Sequence, residues 1–239
     1  MNTYQVNNIY ELIKDNAYVG RGILAGKSAD GKKAAAAYFI MGRSANSRNR
    51  VFSEKDGCIL TEPFDPSKVE DPSLIIYTAV RPYENKLILT NGDQTDTIYE
   101  GLKKGLSFEE ALESRCFEPD APNFTPRIST MLTFADGDFS YRMSILKSLD
   151  ENGSACARFA FSYPSLPGLG HFIHTYEQDG NPIPTFRGEP ERIRIPNEID
   201  ALTDAVWSGL NEENKISLYV TYLNLETMEK EHRLINKNA

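Results

Sequence analysis

Short runs of apolar residues, several of them alternating with polar ones, dominate the chain and predict mostly β-strands. Turn-forming stretches such as Asp30-Gly31 and Tyr83-Glu84-Asn85 separate neighbouring runs, which favours antiparallel pairing through hairpins. We therefore expect two hairpins, a three-stranded meander, a further strand and a C-terminal strand pair. The strands are predicted at 18–26 with 34–43, 73–82 with 86–92, 127–134 with 139–149 and 155–164, 170–177, and 215–225 with 229–235.

Helical periodicity and capping spacing predict three helices. They span residues 94–105, 107–115 and 197–210. Thr97 with Glu100 and Ser107 with Glu110 have the spacing of capping boxes, and Asn197 is placed to cap the last helix. Apolar residues of this last segment recur on one helical face, which is typical of a helix that packs on a core.

The order of these elements distinguishes between fold classes. Strands precede and follow the central helices and pair with their neighbours, so the chain lacks the βαβ rhythm of a doubly wound parallel sheet. We expect an α+β layered sandwich, folded as one domain over residues 1–239, with loops at 164–170 and 180–196.

Composition and charge narrow the range of partners. The chain has 239 residues and a net charge of −8 at pH 7. Duplex nucleic acid is bound by neutralising many phosphates, and an acidic chain without a long basic run does this poorly. A small anionic ligand is compatible with the charge, because a local arginine cluster acts against the overall sign. We predict a small-molecule ligand and no nucleic-acid partner.

Targeting, membrane and metal signals are weak. The N-terminal residues lack an apolar signal region, and no apolar stretch reaches the roughly 20 residues that a spanning helix needs. Cys58, Cys116 and Cys156 lie far apart in the sequence and form no disulfide framework or metal motif, which favours a reducing cytoplasm. His171 and His174 resemble an H-x-x-H pair, but residues three apart in a strand point to opposite faces, so we expect no metal site.

Residues 41–50 read MGRSANSRNR and hold three arginines within eight residues without an intervening acid. Guanidinium groups bind phosphate through paired hydrogen bonds, which makes this stretch a candidate anion site. The alternative is a solvated loop whose arginines pair with surface acids elsewhere. The candidates are Arg43, Ser44, Arg48, Asn49 and Arg50.

Two further polar stretches border predicted strands. Residues 90–98 end a strand and open a helix, where unpaired N–H groups attract an anion or polar ligand unless the side chains simply cap the helix. Residues 117–128 form a proline-stiffened loop whose polar side chains either converge on a ligand or form a surface turn. The candidates are Asn91, Asp93, Thr95 and Asp96 in the first stretch and Glu118, Asp120, Asn123, Thr125 and Arg127 in the second.

No local motif supplies a nucleophile. The chain has neither G-x-S-x-G nor a P-loop, and Gly20-Arg21-Gly22 does not continue into the dinucleotide fingerprint. Tyr77 lies in an apolar strand and by itself indicates a core residue with a satisfied hydroxyl.

Together these stretches run in an order that resembles the archaeal-type inosine monophosphate (IMP) cyclohydrolase family and its bacterial relatives. The resemblance covers about residues 18–180 and is strongest at 91–98 and 125–128. Asp93-Gln94 stands where the archaeal pattern has Ser-His. The matching stretches are Tyr18-Val19-Gly20-Arg21-Gly22-Ile23, Arg43-Ser44, Asn49-Arg50, Ile76-Tyr77, Asn91-Gly92, Thr95-Asp96-Thr97-Ile98, Thr125-Pro126-Arg127-Ile128 and Thr175-Tyr176-Glu177-Gln178.

The resemblance implies a four-layer α/β/β/α sandwich of two antiparallel sheets, like that of N-terminal-nucleophile hydrolases but without the terminal nucleophile. It implies closure of 5-formamidoimidazole-4-carboxamide ribonucleotide (FAICAR) to IMP with loss of water, without a metal or organic cofactor. A homo-oligomer is one option for its assembly. The implied catalytic residues are Arg50, Tyr77 and Glu118, and the implied substrate-binding residues are Arg43, Ser44, Asn49, Asn91, Asp93, Thr95, Asp96, Thr125 and Arg127.

Two rival functions stay open at this point. A purine-nucleotide-binding protein without catalysis would keep the phosphate-binding arginines, although the joint presence of three catalytic candidates argues against it. An amidohydrolase acting on a nucleotide-like substrate would fit the fold, although the missing nucleophile argues against it.

Overall fold

The structure is a computed structural model that describes residues 4–69 and 76–238. Its helices are α1 (Ile9–Ile13), α2 (Ala45–Arg48), α3 (Gln94–Lys103), α4 (Phe108–Leu112) and α5 (Ile199–Gly209), with one turn of 3-10 helix at Pro66–Lys68. Its strands are β1 (Arg21–Lys27), β2 (Lys33–Met41), β3 (Val51–Lys55), β4 (Cys58–Glu62), β5 (Tyr77–Tyr83), β6 (Lys86–Thr90), β7 (Arg127–Ala135), β8 (Asp138–Ser148), β9 (Cys156–Pro164), β10 (Leu169–His174), β11 (Glu191–Arg194), β12 (Lys215–Asn224) and β13 (Lys230–Asn236).

These strands form two antiparallel sheets. Sheet I has the order β11-β10-β1-β2-β12-β13, and sheet II has the order β3-β4-β5-β6-β7-β8-β9. An apolar cluster that includes Ile23, Tyr38, Ile128 and Tyr141 lies between the two sheets. The expected α+β sandwich of two antiparallel sheets is confirmed, and the further likeness to N-terminal-nucleophile hydrolases stays a prediction.

Strand β2 shows how the sequence builds the layers. Successive side chains of a strand point to opposite faces, so the run AAAAYFIM serves two cores at once. One set of alternate residues faces sheet II, and the other set faces the helices α1 and α5. The first set is Ala34, Ala36, Tyr38 and Ile40, and the second is Ala35, Ala37, Phe39 and Met41.

Helices cover the outer face of each sheet. Ile13 of α1 and Leu202 of α5 pack with Phe39 of sheet I, while Ile98 of α3 and Phe108 of α4 pack on the outer face of sheet II. Fully burying an apolar side chain of this size stabilises a fold by roughly 1.5–3 kcal/mol. The result is a helix, sheet, sheet and helix layering.

The hairpins, the meander, the C-terminal pair and the three helices expected from the pattern are confirmed. Residues 73–75 of one predicted strand lie outside the described residues. The hairpin of β3 and β4, the strand β11 and the short helices α1 and α2 were not expected, because each is short and lacks a clear period.

Two capping predictions were wrong and one is confirmed. Helix α3 begins at Gln94 with Asp93 at its N-cap position, so Thr97 lies inside the helix and caps nothing. Asn197 does not cap α5, because its side-chain oxygen accepts a 2.8 Å bond from the backbone N–H of Asp30. Ser107 and Glu110 form the expected capping box of α4.

Candidate functional site

Most of the candidate residues from the sequence lie at one end of the two-sheet sandwich. In sheet II, β5 begins at Tyr77 and β7 begins at Arg127, and the antiparallel order puts both at the same end of the sheet. In sheet I, β1 begins at Arg21 and β2 ends at Met41. Nη2 of Arg50, directly before β3, donates to the backbone oxygen of Met41 over 3.1 Å and so joins the two ends.

A buried ion pair connects sheet I to the loop before β7. Nη2 of Arg21 lies 2.8 and 3.0 Å from the two carboxylate oxygens of Glu118. Burial disfavours the charged guanidinium, but the facing carboxylate leaves the pKa of Arg21 well above its ordinary value. Among the described residues, no acceptor meets the buried Nε of Arg21.

Gly20 explains how Arg21 reaches this position. Its backbone φ of +77° is in the left-handed region, where a side chain is strained. A Cβ at this position would also lie 2.1 Å from Oγ1 of Thr175. That hydroxyl oxygen accepts a 3.1 Å bond from the backbone N–H of Arg21, so glycine permits the close approach that fixes the arginine.

A second link between the sheets is made by two phenols. The hydroxyl oxygens of Tyr38, in β2, and Tyr77, in β5, lie 2.7 Å apart, and both side chains are buried. Burial first, and the neighbouring Tyr77 next, raise the pKa of Tyr38 well above its ordinary value. Tyr38 therefore stays a neutral hydrogen-bond donor and acceptor. Arg21 and Arg50 both lie near enough to interact electrostatically with its phenol.

Arg50 is buried and held by its own chain. Its Nε donates over 2.7 Å to the backbone oxygen of Ser47, in the single helical turn α2. Ser44 caps that turn, because its hydroxyl accepts a 3.1 Å bond from the N–H of Ser47. The predicted binding residue Ser44 thus serves as a helix cap that positions Arg50.

Arg43 lies on a more exposed part of the same end. Its guanidinium lies 5.2 Å from the ring centre of Tyr18 and donates over 2.9 Å to the backbone oxygen of Gly180. It also pairs with the carboxylate of Asp179. Tyr18 in turn stacks on Tyr176, with ring centres 5.7 Å apart.

Thr125 connects the Glu118 loop to Tyr176. Its hydroxyl oxygen lies 2.5 Å from the phenol oxygen of Tyr176 and 2.5 Å from a carboxylate oxygen of Asp120. The backbone N–H of Glu118 donates to the backbone oxygen of Thr125 over 2.9 Å. These bonds fix the loop against sheet I and so set the position of Glu118.

Asp93 is the centre of a second charged group at this end. It pairs with Arg115, and Nη1 of Arg127 lies 2.7 Å from both its carboxylate oxygen and the amide oxygen of Gln94. Burial alone would raise the pKa of Asp93, but the bond from Arg115 and the charge of Arg127 hold it below its ordinary value. Asp93 therefore neutralises two cations near the predicted site.

Three of the predicted binding residues make structural bonds. The side-chain amide of Asn91 donates to the backbone oxygen of Pro126 over 2.8 Å and accepts from the N–H of Ile128 over 2.8 Å, which ties β6 to β7. Asn49 makes the same kind of double contact with the backbone of Asp65, at 2.8 and 2.7 Å. The buried Thr95 hydroxyl lies 2.6 Å from that of Thr90.

Asp96 belongs to another surface. Its carboxylate accepts a 2.6 Å bond from Arg81, whose guanidinium stacks on Tyr99 of α3 at 3.7 Å. This pair lies on the helix-covered side of sheet II. The structure therefore does not bring Asp96 together with Arg50, Tyr77 and Glu118.

The sequence reasoning missed Arg21, Tyr38 and Tyr176 as parts of this site. Arg21 lies between two glycines, and Gly20 is the one local signal of an unusual backbone. Tyr38 sits within an apolar run that indicates only core. Its partner Tyr77 comes from another sheet, so no local pattern could reveal the contact.

His171 and His174 have separate structural roles. Nδ1 of His171 lies 2.7 Å from the phenol oxygen of Tyr141, and Nδ1 of His174 donates to the backbone oxygen of Tyr176 over 2.7 Å. Burial lowers the pKa of each histidine to about 4. Within residues 4–69 and 76–238, no three histidine, cysteine or acidic side chains assemble as a metal site.

An apolar cavity of about 160 Å³ lies at the opposite end of the sandwich. Ala34 at the start of β2 and Phe134 near the end of β7 are among the residues that line it. Its distance from the charged groups excludes it as part of the candidate site.

No helix in the described part of the chain is long and apolar enough to cross a lipid bilayer.

Comparison of the chain with known proteins identifies its family. The chain is 40% identical over 116 residues to an IMP cyclohydrolase of Methanopyrus kandleri, a match that covers 47% of the chain and 57% of the relative. It is 27% identical over 164 residues to an IMP cyclohydrolase of Methanococcus aeolicus, which covers 67% of the chain and 74% of the relative. The first match thus spans less than two thirds of that protein's length.

The family described as IMP cyclohydrolase-like protein matches residues 18–228. This match includes β1 through β12 and every residue of the candidate site. The chain therefore belongs to the IMP cyclohydrolase-like family.

Proposed function

We propose that the chain closes FAICAR to IMP with loss of water. The observation that carries the proposal is the network in which Glu118 bonds to Arg21 and Tyr77 bonds to Tyr38, with Arg50 close enough to Tyr38 to act on it electrostatically. Family membership and the printed names of the relatives support the same reaction.

The reaction makes one ring bond and removes one water molecule. The carboxamide nitrogen attacks the formyl carbon, negative charge develops on the formyl oxygen, and the nitrogen loses a proton. The oxygen then gains two protons and leaves as water, while the formamide nitrogen loses its own proton and forms a double bond to the same carbon. Both reacting groups belong to one molecule, so holding them in the reactive rotamer accounts for much of the acceleration.

Arg50 is proposed to stabilise the developing oxyanion. Its Nε and Nη2 donate to backbone oxygens of Ser47 and Met41, and among the described residues no protein group accepts from Nη1. A guanidinium stays charged at any working pH. A fixed donor of this kind is worth about 3–4 kcal/mol, or roughly a hundred- to thousand-fold in rate.

Tyr77 is proposed to orient the formyl group and to pass a proton to the departing oxygen. Its phenol oxygen lies 2.7 Å from that of Tyr38, so the Tyr38 hydroxyl can donate a hydrogen bond that stabilises the Tyr77 oxygen while Tyr77 gives its proton to substrate. The raised pKa of Tyr38 keeps this second phenol protonated. Proton transfer by a positioned group contributes about 10²–10⁴-fold.

Glu118 is proposed to accept from the carboxamide nitrogen, directly or through one water. Arg21 contacts both carboxylate oxygens through a single nitrogen, which holds the group in place and leaves other lone pairs for substrate. Arg21 is thus proposed as a positioning residue.

Arg43 and Arg127 are proposed to bind the phosphate or the ribose. Each is paired here with an aspartate, Asp179 and Asp93 respectively. A dianionic phosphate competes for these guanidinium groups, because paired donors match its oxygens. Asn91 and Thr95 are proposed to hold the surrounding backbone, and Thr125 to set the loop that faces the base or sugar.

The remaining expectations are proposed with this function. They are one domain over residues 1–239, a cytoplasmic location, a reaction without metal or organic cofactor, and a homo-oligomer as one option for assembly. The substrate provides both reacting groups, so the chemistry itself requires no carrier.

The test is an absorbance assay of IMP formation from FAICAR, with purified protein and a chelator in the buffer. We expect turnover that depends on enzyme concentration and exceeds the uncatalysed rate. Calorimetric binding of IMP without any turnover would overturn the proposal in favour of a nucleotide-binding protein. Release of formate from FAICAR would overturn it in favour of an amidohydrolase.

A further inference from the structure

Two cysteines that are distant in the sequence lie near each other beside the loop that carries Glu118. Cys116 lies two residues before Glu118, and Cys156 is the first residue of β9, the edge strand of sheet II. The Cys156 thiol donates over 3.6 Å to the backbone oxygen of Ala157, and the Cys116 thiol lies near enough to help raise the pKa of Cys156. Both cysteines are free thiols.

Arg158 fixes the two segments against each other. It follows Cys156 by two residues in β9, so the two side chains emerge on the same face of the strand. Its Nη2 donates to the sulfur of Cys116 over 3.8 Å, and its Nη1 donates to the backbone oxygen of Leu112 over 3.0 Å. Arg158 therefore holds the segment of Cys116 against the part of β9 that carries Cys156.

The two thiols differ in accessibility. Cys116 is exposed, whereas Cys156 is half-buried and packs against the apolar cluster beneath α3 and α4. Burial raises the pKa of the Cys156 thiol. A small molecule in solution therefore meets Cys116 first, and Cys156 is placed to react second.

We propose that Cys116 and Cys156 are a redox-sensitive pair that a small-molecule disulfide converts into an intramolecular disulfide, which restrains the Glu118 loop and lowers activity. The effect on activity rests on the proposed cyclohydrolase function, whereas the disulfide itself does not. Disulfides in a reducing compartment are mostly transient and serve such sensing roles.

The chemistry balances with one equivalent of the small disulfide. The Cys116 thiolate attacks one sulfur of that disulfide, a mixed disulfide forms on Cys116, and one small thiol leaves. The Cys156 thiolate then attacks the Cys116 sulfur and displaces the second small thiol. The protein loses two electrons and two protons, and the small disulfide becomes two thiols.

The disulfide would affect Glu118 because Cys116 and Glu118 are close together in the chain. A disulfide bond holds its sulfurs about 2.05 Å apart, so it would tie the segment around Cys116 covalently to β9. Glu118 is only two residues away, and its carboxylate depends on a 2.8 Å contact with Arg21. A displacement of about 1 Å at a reacting group can cost a hundred-fold in rate.

The test treats the full chain with oxidised glutathione, then counts free thiols with a maleimide and maps linked peptides by mass spectrometry. We expect the wild type and the control variant Cys58→Ser each to lose two thiols and to yield one peptide that links Cys116 to Cys156. Cys156→Ser should stop at one glutathione on Cys116, and Cys116→Ser should form no intramolecular disulfide. A disulfide that involves Cys58, or unlinked glutathione on both Cys116 and Cys156, would overturn the pair.

Activity and hydrogen exchange test the second half of the proposal. We expect oxidation to slow IMP formation by at least about tenfold and dithiothreitol to restore it, with oxidised Cys156→Ser much less affected. Amide exchange of residues 117–126 should change on oxidation in the wild type and not in Cys156→Ser. A linked protein with unchanged rate and exchange would overturn the coupling to Glu118. Absence of turnover in the reduced protein would overturn the proposed function, while the thiol count and exchange still test the pair.

Discussion

The side chains of Arg21 and Glu118 form an ion pair in which one guanidinium nitrogen lies 2.8 and 3.0 Å from the two carboxylate oxygens, with both residues less than a tenth exposed. The pair joins the first residue of β1 to the loop before β7, so it fixes the loop relative to sheet I. Two buried charges lose their hydration on folding, and each depends on the other for compensation.

Removing one partner should therefore cost more than removing both. Arg21→Met leaves the Glu118 carboxylate buried without a counter-charge, and we expect a loss of about 3–5 kcal/mol in the free energy of unfolding. Arg21→Met with Glu118→Leu should recover most of that loss. Urea unfolding at neutral pH measures both. A loss below about 1 kcal/mol for Arg21→Met would show that the pair is not buried as a unit.

Sequence patterns predicted the strand-rich fold because the two signals they use are local. Alternation of polar and apolar residues gave the strands, and turn residues gave the antiparallel pairing of the meander at 127–164. The hairpin of β3 and β4 was not predicted because its strands, VFSEK and CILTE, are short and contain charged residues. Helix α1 has five residues, which is too few for a helical period to be visible.

The candidate site was predicted from resemblance, and its internal contacts were not predicted. Arg50, Tyr77 and Glu118 were named from the family resemblance, but nothing in the sequence shows that Tyr38 bonds to Tyr77 or that Arg21 pairs with Glu118. Such contacts depend on how the sheets stack, which a local pattern does not encode. Asp96 shows the opposite case, since its matching motif grouped it with the site, whereas its carboxylate bonds to Arg81 on the helix-covered side of sheet II.

The two tyrosines allow a matched comparison of structure and catalysis. Tyr77→Phe and Tyr38→Phe remove the same 2.7 Å hydrogen bond and each leave one buried phenol unpaired. We expect similar losses of about 1–3 kcal/mol in the free energy of unfolding.

The turnover rates of Tyr77→Phe and Tyr38→Phe should differ if Tyr77 contacts the substrate. We expect kcat to fall by about 10²–10⁴-fold in Tyr77→Phe and by less than about tenfold in Tyr38→Phe. Steady-state kinetics with FAICAR measures both. Equal rate losses in the two variants would argue that the bond matters only for structure.

Substitutions of Arg50 and Arg43 should affect different kinetic constants, kcat for Arg50 and KM for Arg43. Arg50→Lys keeps the charge but loses the planar fork that reaches Ser47 and Met41, so we expect kcat to fall by about 10²–10³-fold. Arg43→Ala should mainly raise KM, because its more exposed guanidinium is proposed to bind a group that does not react.

The control for this comparison is Arg48→Ala. Arg48 belongs to the same cluster but donates to Gly42 and Asn214, at 3.0 and 2.8 Å, and has no proposed contact with substrate. Its kcat and KM should stay near those of the wild type. Normal turnover in both Arg50→Lys and Arg43→Ala would remove these arginines from the proposed mechanism.

His171 and His174 should make the fold sensitive to mild acid. Burial lowers the pKa of each to about 4, whereas an unfolded histidine titrates near 6.5. Between these values the unfolded chain binds more protons than the folded chain, so the free energy of unfolding falls as the pH drops from about 6.5 toward 4. Each histidine contributes up to about 3 kcal/mol to this loss.

Asparagine at position 174 tests this sensitivity directly. Its amide can still donate to the backbone oxygen of Tyr176, as Nδ1 of the histidine does, but it does not titrate. His174→Asn should lose stability at pH 7 through weaker stacking on Phe172, yet its unfolding free energy should fall about half as steeply between pH 6.5 and 5. Urea titrations across that range, repeated for His171→Asn, give the slopes. Slopes unchanged in both variants would mean that other groups govern the acid response, because most carboxylates titrate below this range.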